Sequence, residues 1–162
     1  MIKNLISMLV FCLFLNVSAQ YKLEKINLRE FQSLVHKKDD VLYVVNFWAT
    51  WCKPCIEELP GFMDVNAYYR DHPKFKMILI SFDNKRLLDT KVKRFVEKNN
   101  IEADVYLLDD DRNILELLPE IDENWNGAIP STVFYKNEKK LKFHQLSMTP
   151  FELQDLIEAF LE

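Results

Sequence analysis

Hydrophobic positions along this chain switch between a period of two and a period near 3.6, and the switches mark its elements. Leu23 to Ile26 reads as a short strand. Asn27 and Glu30 then form a capping box, with Leu28, Phe31, Leu34 and Val35 on one helical face. Val41 to Trp48 is nearly all apolar and rich in β-branched and aromatic residues, the pattern of a strand buried on both faces. The spacing predicts a helix from Cys52 to about Tyr69, bent at Pro60-Gly61 because proline cannot donate its backbone bond. Phe75 to Phe82 is a second buried strand, and Leu88, Val92, Phe95 and Val96 mark an amphipathic helix ending near Asn99-Asn100.

Val105 to Leu108 is a further strand. The acidic run Asp109-Asp110-Asp111 suits the start of the next helix, where Ile114, Leu117, Leu118 and Ile121 repeat at helical spacing. Thr132 to Tyr135 and Leu141 to Leu146 read as two strands joined by a tight turn at Lys136 to Lys140. Thr149-Pro150-Phe151-Glu152 opens a last helix with a capping box and proline at its first position, and Leu153, Leu156, Ile157, Phe160 and Leu161 form its buried stripe. Strand and helix alternate four times, and a strand, a strand and a helix follow. That order predicts an α/β fold: a central mixed sheet, parallel in its first half, with helices on both faces and a closing antiparallel hairpin.

The first nineteen residues stand outside this pattern. Lys3, an apolar run from Leu5 to Leu15 and the small-residue site Val17-Ser18-Ala19 predict a cleaved signal peptide over residues 1–19, leaving one domain over 20–162. The run is too short to span a bilayer comfortably, so no stable membrane span is expected after cleavage, an uncleaved anchor being the alternative. Cys12 lies inside the run and is discarded with it. The expected location is periplasmic or otherwise extracytoplasmic.

At 162 residues, 49% hydrophobic and 28% charged, the chain has the makeup of a soluble globule, and a formal charge of −4 with no basic block argues against nucleic acid. Glycine occurs only at Gly61 and Gly127, which singles out both positions.

Loss of the leader leaves Cys52 and Cys55, three residues apart where a buried strand breaks into a helix. A bridge closing so short a loop removes little unfolded-state entropy, so the pair is not a structural staple. Cys52 falls at the helix start, where unpaired N–H groups and the helix dipole favour thiolate, and Lys53 adds positive charge. Pro54 is at home in a first turn, and Cys55 lies one turn deeper. An exposed attacker beside a buried resolver is what disulfide exchange requires. A zinc or copper site would need more ligands, and His36, His72 and His144 have no ligand spacing to the pair, so neither a metal nor another cofactor is expected.

The stretch VVNFWATWCKPCIEELPGF resembles the active-site segment of the thioredoxin superfamily, in particular its exported TlpA/ResA-like thiol-disulfide oxidoreductases. Gly127-Ala128-Ile129-Pro130-Ser131-Thr132 matches that family's second element. The resemblance covers nearly all of residues 20–162 and implies a thioredoxin fold, with a TlpA-type insertion between the active-site unit and the closing hairpin. It implies Cys52 as nucleophile, Cys55 as resolving cysteine, and Pro130 in cis facing the disulfide. Ile129 would pair with a substrate strand, with Trp51, Lys53 and Pro54 bordering it. Thioredoxin itself carries an aspartate where this chain has Asn46. The exported branch often has asparagine there and a glutamate three residues after the second cysteine, a position that Glu58 fills. Residues three apart on a helix are neighbours, so Glu58 can lie over Cys55 and take its proton, a solvent-facing glutamate being the alternative. Glu57, four after Lys53, reads as its surface ion-pair partner.

The expected function is exchange of disulfides with protein substrates, more as a reductant than an oxidant, with protein thiols and an upstream thiol donor as partners. An isomerase or oxidant on the same fold, a non-catalytic binding domain and a peroxidase are the rivals. The peroxidase would need a threonine at a different spacing from that of Thr50.

Overall fold

The computed structural model describes residues 21–162, so the leader expected over 1–19 lies outside the described residues. Six strands form one sheet: β1 (Leu23–Ile26), β2 (Leu42–Trp48), β3 (Phe75–Ser81), β4 (Asp104–Leu108), β5 (Ser131–Lys136) and β6 (Lys139–Gln145). Their spatial order is β1-β4-β3-β2-β5-β6. The first four are mutually parallel, β5 runs antiparallel to β2, and β6 runs antiparallel to β5. Five α-helices, α1 (Leu28–Val35), α2 (Lys53–Tyr69), α3 (Lys93–Lys98), α4 (Ile114–Ile121) and α5 (Pro150–Leu161), connect or close the strands.

Every residue of β2 is buried, and its alternation divides the core between the sheet's two faces. Leu42, Val44 and Trp48 pack with Leu59 and Phe62 of α2, Val96 of α3 and Leu153 and Ile157 of α5. Tyr43, Val45 and Phe47 pack with Phe31 of α1 and Leu117 and Leu118 of α4. Asn46 takes the first of these parities, which sends its side chain toward α2.

Local chemistry sets the element ends. Both capping boxes form, at Asn27/Glu30 and Thr149/Glu152. The hairpin turns through Asn137 and Glu138, with φ of 51° and 64°, the pair of positive values that a two-residue turn matched to strand twist demands. The third helical stretch is less regular than its periodicity predicts: a 3-10 turn (Lys85–Leu87) and a π turn (Leu88–Val92) precede α3.

One expectation is corrected. Asp109 to Asp111 do not open α4, because the Asn113 side chain takes the N–H of Leu115 at 3.0 Å and caps the helix itself. Asp109 instead pairs with Lys85 at 2.9 Å, and Asp110 accepts the N–H of Leu28 at 3.2 Å, so the run ties the end of β4 to its neighbours. Helix α2 stays helical through Pro60, and Gly61 packs against a neighbouring element. A Cβ there would lie 2.4 Å from Cγ of Pro150, at the first turn of α5. Gly61→Ala is therefore expected to separate α2 from α5 and to cost about 1–2 kcal/mol, overpacking outweighing the ~1 kcal/mol gain in helix propensity. Urea unfolding reads this directly, and an unchanged or higher midpoint would refute the contact.

Candidate active site

The site forms where β2 ends and α2 begins. The Cys52 N–H donates to the Ala49 carbonyl at 3.1 Å, closing the turn that carries Trp51, and Cys52 then caps α2 in an extended conformation. Cys52 and Cys55 are joined in a disulfide, their Cα atoms 5.3 Å apart. The backbone N–H of Cys55 points at Sγ of Cys52 from 3.3 Å, the donor placement that favours negative charge on that sulfur. The openness expected of Cys52 is not found. It is 5% exposed against 0% for Cys55, and the carbonyl oxygen of Ile129 stands 3.7 Å from its sulfur.

The Ile129–Pro130 peptide bond is cis. Two side chains brace the approach to it: Trp125 Nε1 and the Ser131 hydroxyl both donate to the Ala128 carbonyl, at 2.8 and 2.9 Å. Gly127 sits at φ 91°, where a side chain would be strained and would press on Leu118 and Leu115. Beyond the proline, the Leu146 N–H donates to the Pro130 carbonyl at 2.9 Å, continuing the β5–β6 pairing.

Glu58 is half-buried rather than solvent-facing. Its Oε1 accepts from Nδ2 of Asn46 at 2.8 Å, and Oε2 accepts from the N–H of Met148 at 3.0 Å. Burial pushes its carboxyl up to about 7, against the opposing pull of the Met148 and Asn46 donors. The same Asn46 amide reaches the Thr132 hydroxyl at 3.2 Å, so one side chain of β2 joins α2 to β5. A carboxyl poised near neutrality can both accept and return a proton in the working pH range.

Lys53 pairs with Glu57 at 3.6 Å with both side chains in solvent, so its charge bears weakly on the sulfurs. Pro54 lies in the first turn of α2 and is exposed. Trp51 is 62% exposed and, with Ile129, forms one wall of a cleft of about 350 Å³ whose other walls include Phe82, Asp83, Leu115 and Leu118. Asp83 was not singled out from the sequence, nor were Trp125 and Met148. An acidic residue just after a buried strand, as in Phe82-Asp83, was the one available signal. Among the described residues, no group of three or more His, Cys, Asp or Glu is gathered for a metal ion, and no helix is long and apolar enough to cross a membrane.

A redox-type cysteine pair at a helix start, facing a cis-proline loop across the end of a mixed sheet, defines a thioredoxin-fold protein. The chain belongs to the AhpC/TSA family, whose profile matches residues 16–144. It is 29% identical over 94 residues to the thiol-disulfide oxidoreductase ResA of Oceanobacillus iheyensis, covering 57% of this chain and 43% of that protein. It is 26% identical over 98 residues to the sporulation thiol-disulfide oxidoreductase A of Bacillus subtilis, covering 59% of this chain and 53% of that one. The chain thus spans about half or less of the curated relatives it matches. Among solved structures, a secreted thiol-disulfide isomerase from Corynebacterium glutamicum superposes with a TM-score of 0.64 at 18% identity, over 84% of this chain and 75% of that one.

Proposed function

We propose that this protein is an exported thiol-disulfide oxidoreductase that acts on protein substrates, chiefly as a reductant. The observation that carries the reading is the bonded Cys52–Cys55 pair with a near-neutral carboxyl, Glu58, held on the same helix. In the reduced protein the Cys52 thiolate attacks a substrate disulfide, forming a mixed disulfide and releasing one substrate thiolate. Glu58 then receives the proton of the Cys55 thiol, and the Cys55 thiolate attacks Sγ of Cys52. The second substrate thiolate leaves, and two electrons have passed from the cysteine pair to the substrate. An upstream thiol donor restores the pair. Ile129 offers backbone to an extended substrate segment, with Trp51 and Pro54 at its border.

The direction follows from opposing charges. The Cys55 N–H on Sγ of Cys52 favours thiolate and so an oxidising pair, which supports the second reading, an isomerase or oxidant. Glu58 adds negative charge that disfavours a second anion, and no histidine lies between the cysteines. Equilibration with glutathione buffers should return a potential nearer about −270 mV than −120 mV. A value above about −180 mV would hand the site to the second reading. Insulin reduction driven by dithiothreitol separates exchange from passive binding, and peroxide consumption tests for a peroxidase. Export over residues 1–19 is tested by N-terminal sequencing of the protein recovered outside the cytoplasm.

A further inference from the structure

Asp83 follows β3 and is 4% exposed. Three neutral donors surround its carboxylate: the Thr50 N–H at 2.8 Å, the Thr50 hydroxyl at 2.5 Å and the Ser81 hydroxyl at 2.9 Å. Its own N–H donates to the Ser81 oxygen at 3.1 Å. Among the described residues no lysine, arginine or histidine bonds to it. The nearby cations of the cleft are already engaged, Lys85 with Asp109 and Arg112 with Asp110 and Glu120. A buried carboxylate without a cation is costly, and a neutral residue of similar shape could brace this turn more cheaply.

The turn it braces is the one that ends in the nucleophile. Thr50 is two residues before Cys52, and the Ala49–Cys52 bond closes the loop between them. The carboxylate is therefore held, by two hydrogen bonds, on the residue two before the nucleophile. Helix α2 contributes Lys53 and Glu57, paired in solvent, and Glu58, and the cleft beside Trp51 contributes the paired Lys85, Asp109, Asp110 and Arg112.

We propose that Asp83 is a positioning residue that also sets the redox poise of the pair: its carboxylate fixes the Ala49–Cys52 turn and lays an uncompensated negative charge beside it, disfavouring the Cys52 thiolate. The inference rests on the reading that this pair exchanges disulfides. Oxidation by glutathione disulfide removes two protons and two electrons from the Cys52 and Cys55 thiols, forms their S–S bond and releases two glutathione thiols. Whatever destabilises the thiolate of the reduced protein favours that oxidation and makes the protein a better reductant.

Asp83→Asn keeps the size and most of the hydrogen bonds while removing the charge. Its Cys52 should titrate at lower pH by iodoacetamide modification. The equilibrium constant for oxidation by glutathione disulfide should fall about fivefold, equivalent to ~20 mV toward the oxidising side. Asp83→Ser removes the charge while keeping a small acceptor near Thr50, and should move Cys52 the same way. An Asp83→Asn protein whose Cys52 titrates as in the wild type, or higher, overturns the proposal even if its thermal midpoint drops. Should that variant not fold, Asp83→Ser decides alone, an unchanged or higher Cys52 titration being the refuting result. The wild-type potential in the same experiment judges the reductant reading separately, because the predicted shifts hold on either side of it.

Discussion

Cys55→Ser is expected to stop multiple turnover by at least about 10³-fold while leaving the first attack intact, so that mixed disulfides with substrate accumulate. Cys52→Ser is expected to abolish the first attack as well and to trap nothing. The asymmetry comes from the helix start. Cys52 caps α2 and receives the Cys55 N–H, whereas Cys55 is fully buried. Non-reducing gels and mass spectrometry of protein incubated with reducible substrates read both variants. Equal trapping by the two would reverse or dissolve the assignment of roles. The low exposure of Cys52 adds a kinetic expectation. With the Ile129 carbonyl over its sulfur, reaction with bulky alkylating reagents should be slower than with iodoacetamide.

Glu58→Gln is expected to slow resolution of the mixed disulfide about 10²-fold, the usual scale for one general base, with little change in the first attack. Wild-type resolution should rise with pH through about 7, where Glu58 ionises, and the variant should lack that rise. Stability carries a second signature. The folded-state value, about 7, stands above the ordinary 4.5, so below pH 4.5 both states hold the proton and the group makes no difference. As pH climbs from 4.5 through 7, the unfolded chain releases its proton first, and the folded state loses stability relative to it. Allowing for the partial exposure of Glu58, the loss should reach on the order of 2 kcal/mol by pH 8. Glu58→Gln should flatten that slope, whatever its absolute stability after losing one acceptor. Urea unfolding at pH 5 and pH 8 gives the comparison, and parallel slopes would show that Glu58 ionises freely.

Sequence by itself determined the order of strands and helices, both capping boxes, the placement of the cysteines at a strand-to-helix junction, and the surface pairing of Lys53 with Glu57. All of these depend on residues within about one or two helical turns of one another, where periodicity, caps and i,i+4 geometry are readable directly. What depends on distant chain segments required the folded molecule. Glu58 owes its near-neutral carboxyl to burial, in a half-buried space where Asn46, twelve residues away, and Met148, ninety away, donate to it and hold the shift back. Helical spacing could bring it beside Cys55 but could not bury it. Asp109 to Asp111 satisfied the sequence rule for a helix start, yet Asn113 lay closer to the free N–H groups and capped α4, freeing the aspartates for Lys85 and Leu28. Gly61 read as part of a bend, and no periodicity showed that it is also the gap into which Pro150 fits. Asp83 came to matter only when the end of β3 was laid beside the turn after β2, thirty-three residues earlier in the chain. Long-range meetings of this kind are fixed by strand order and by packing of helices on the sheet, and no local pattern encodes them.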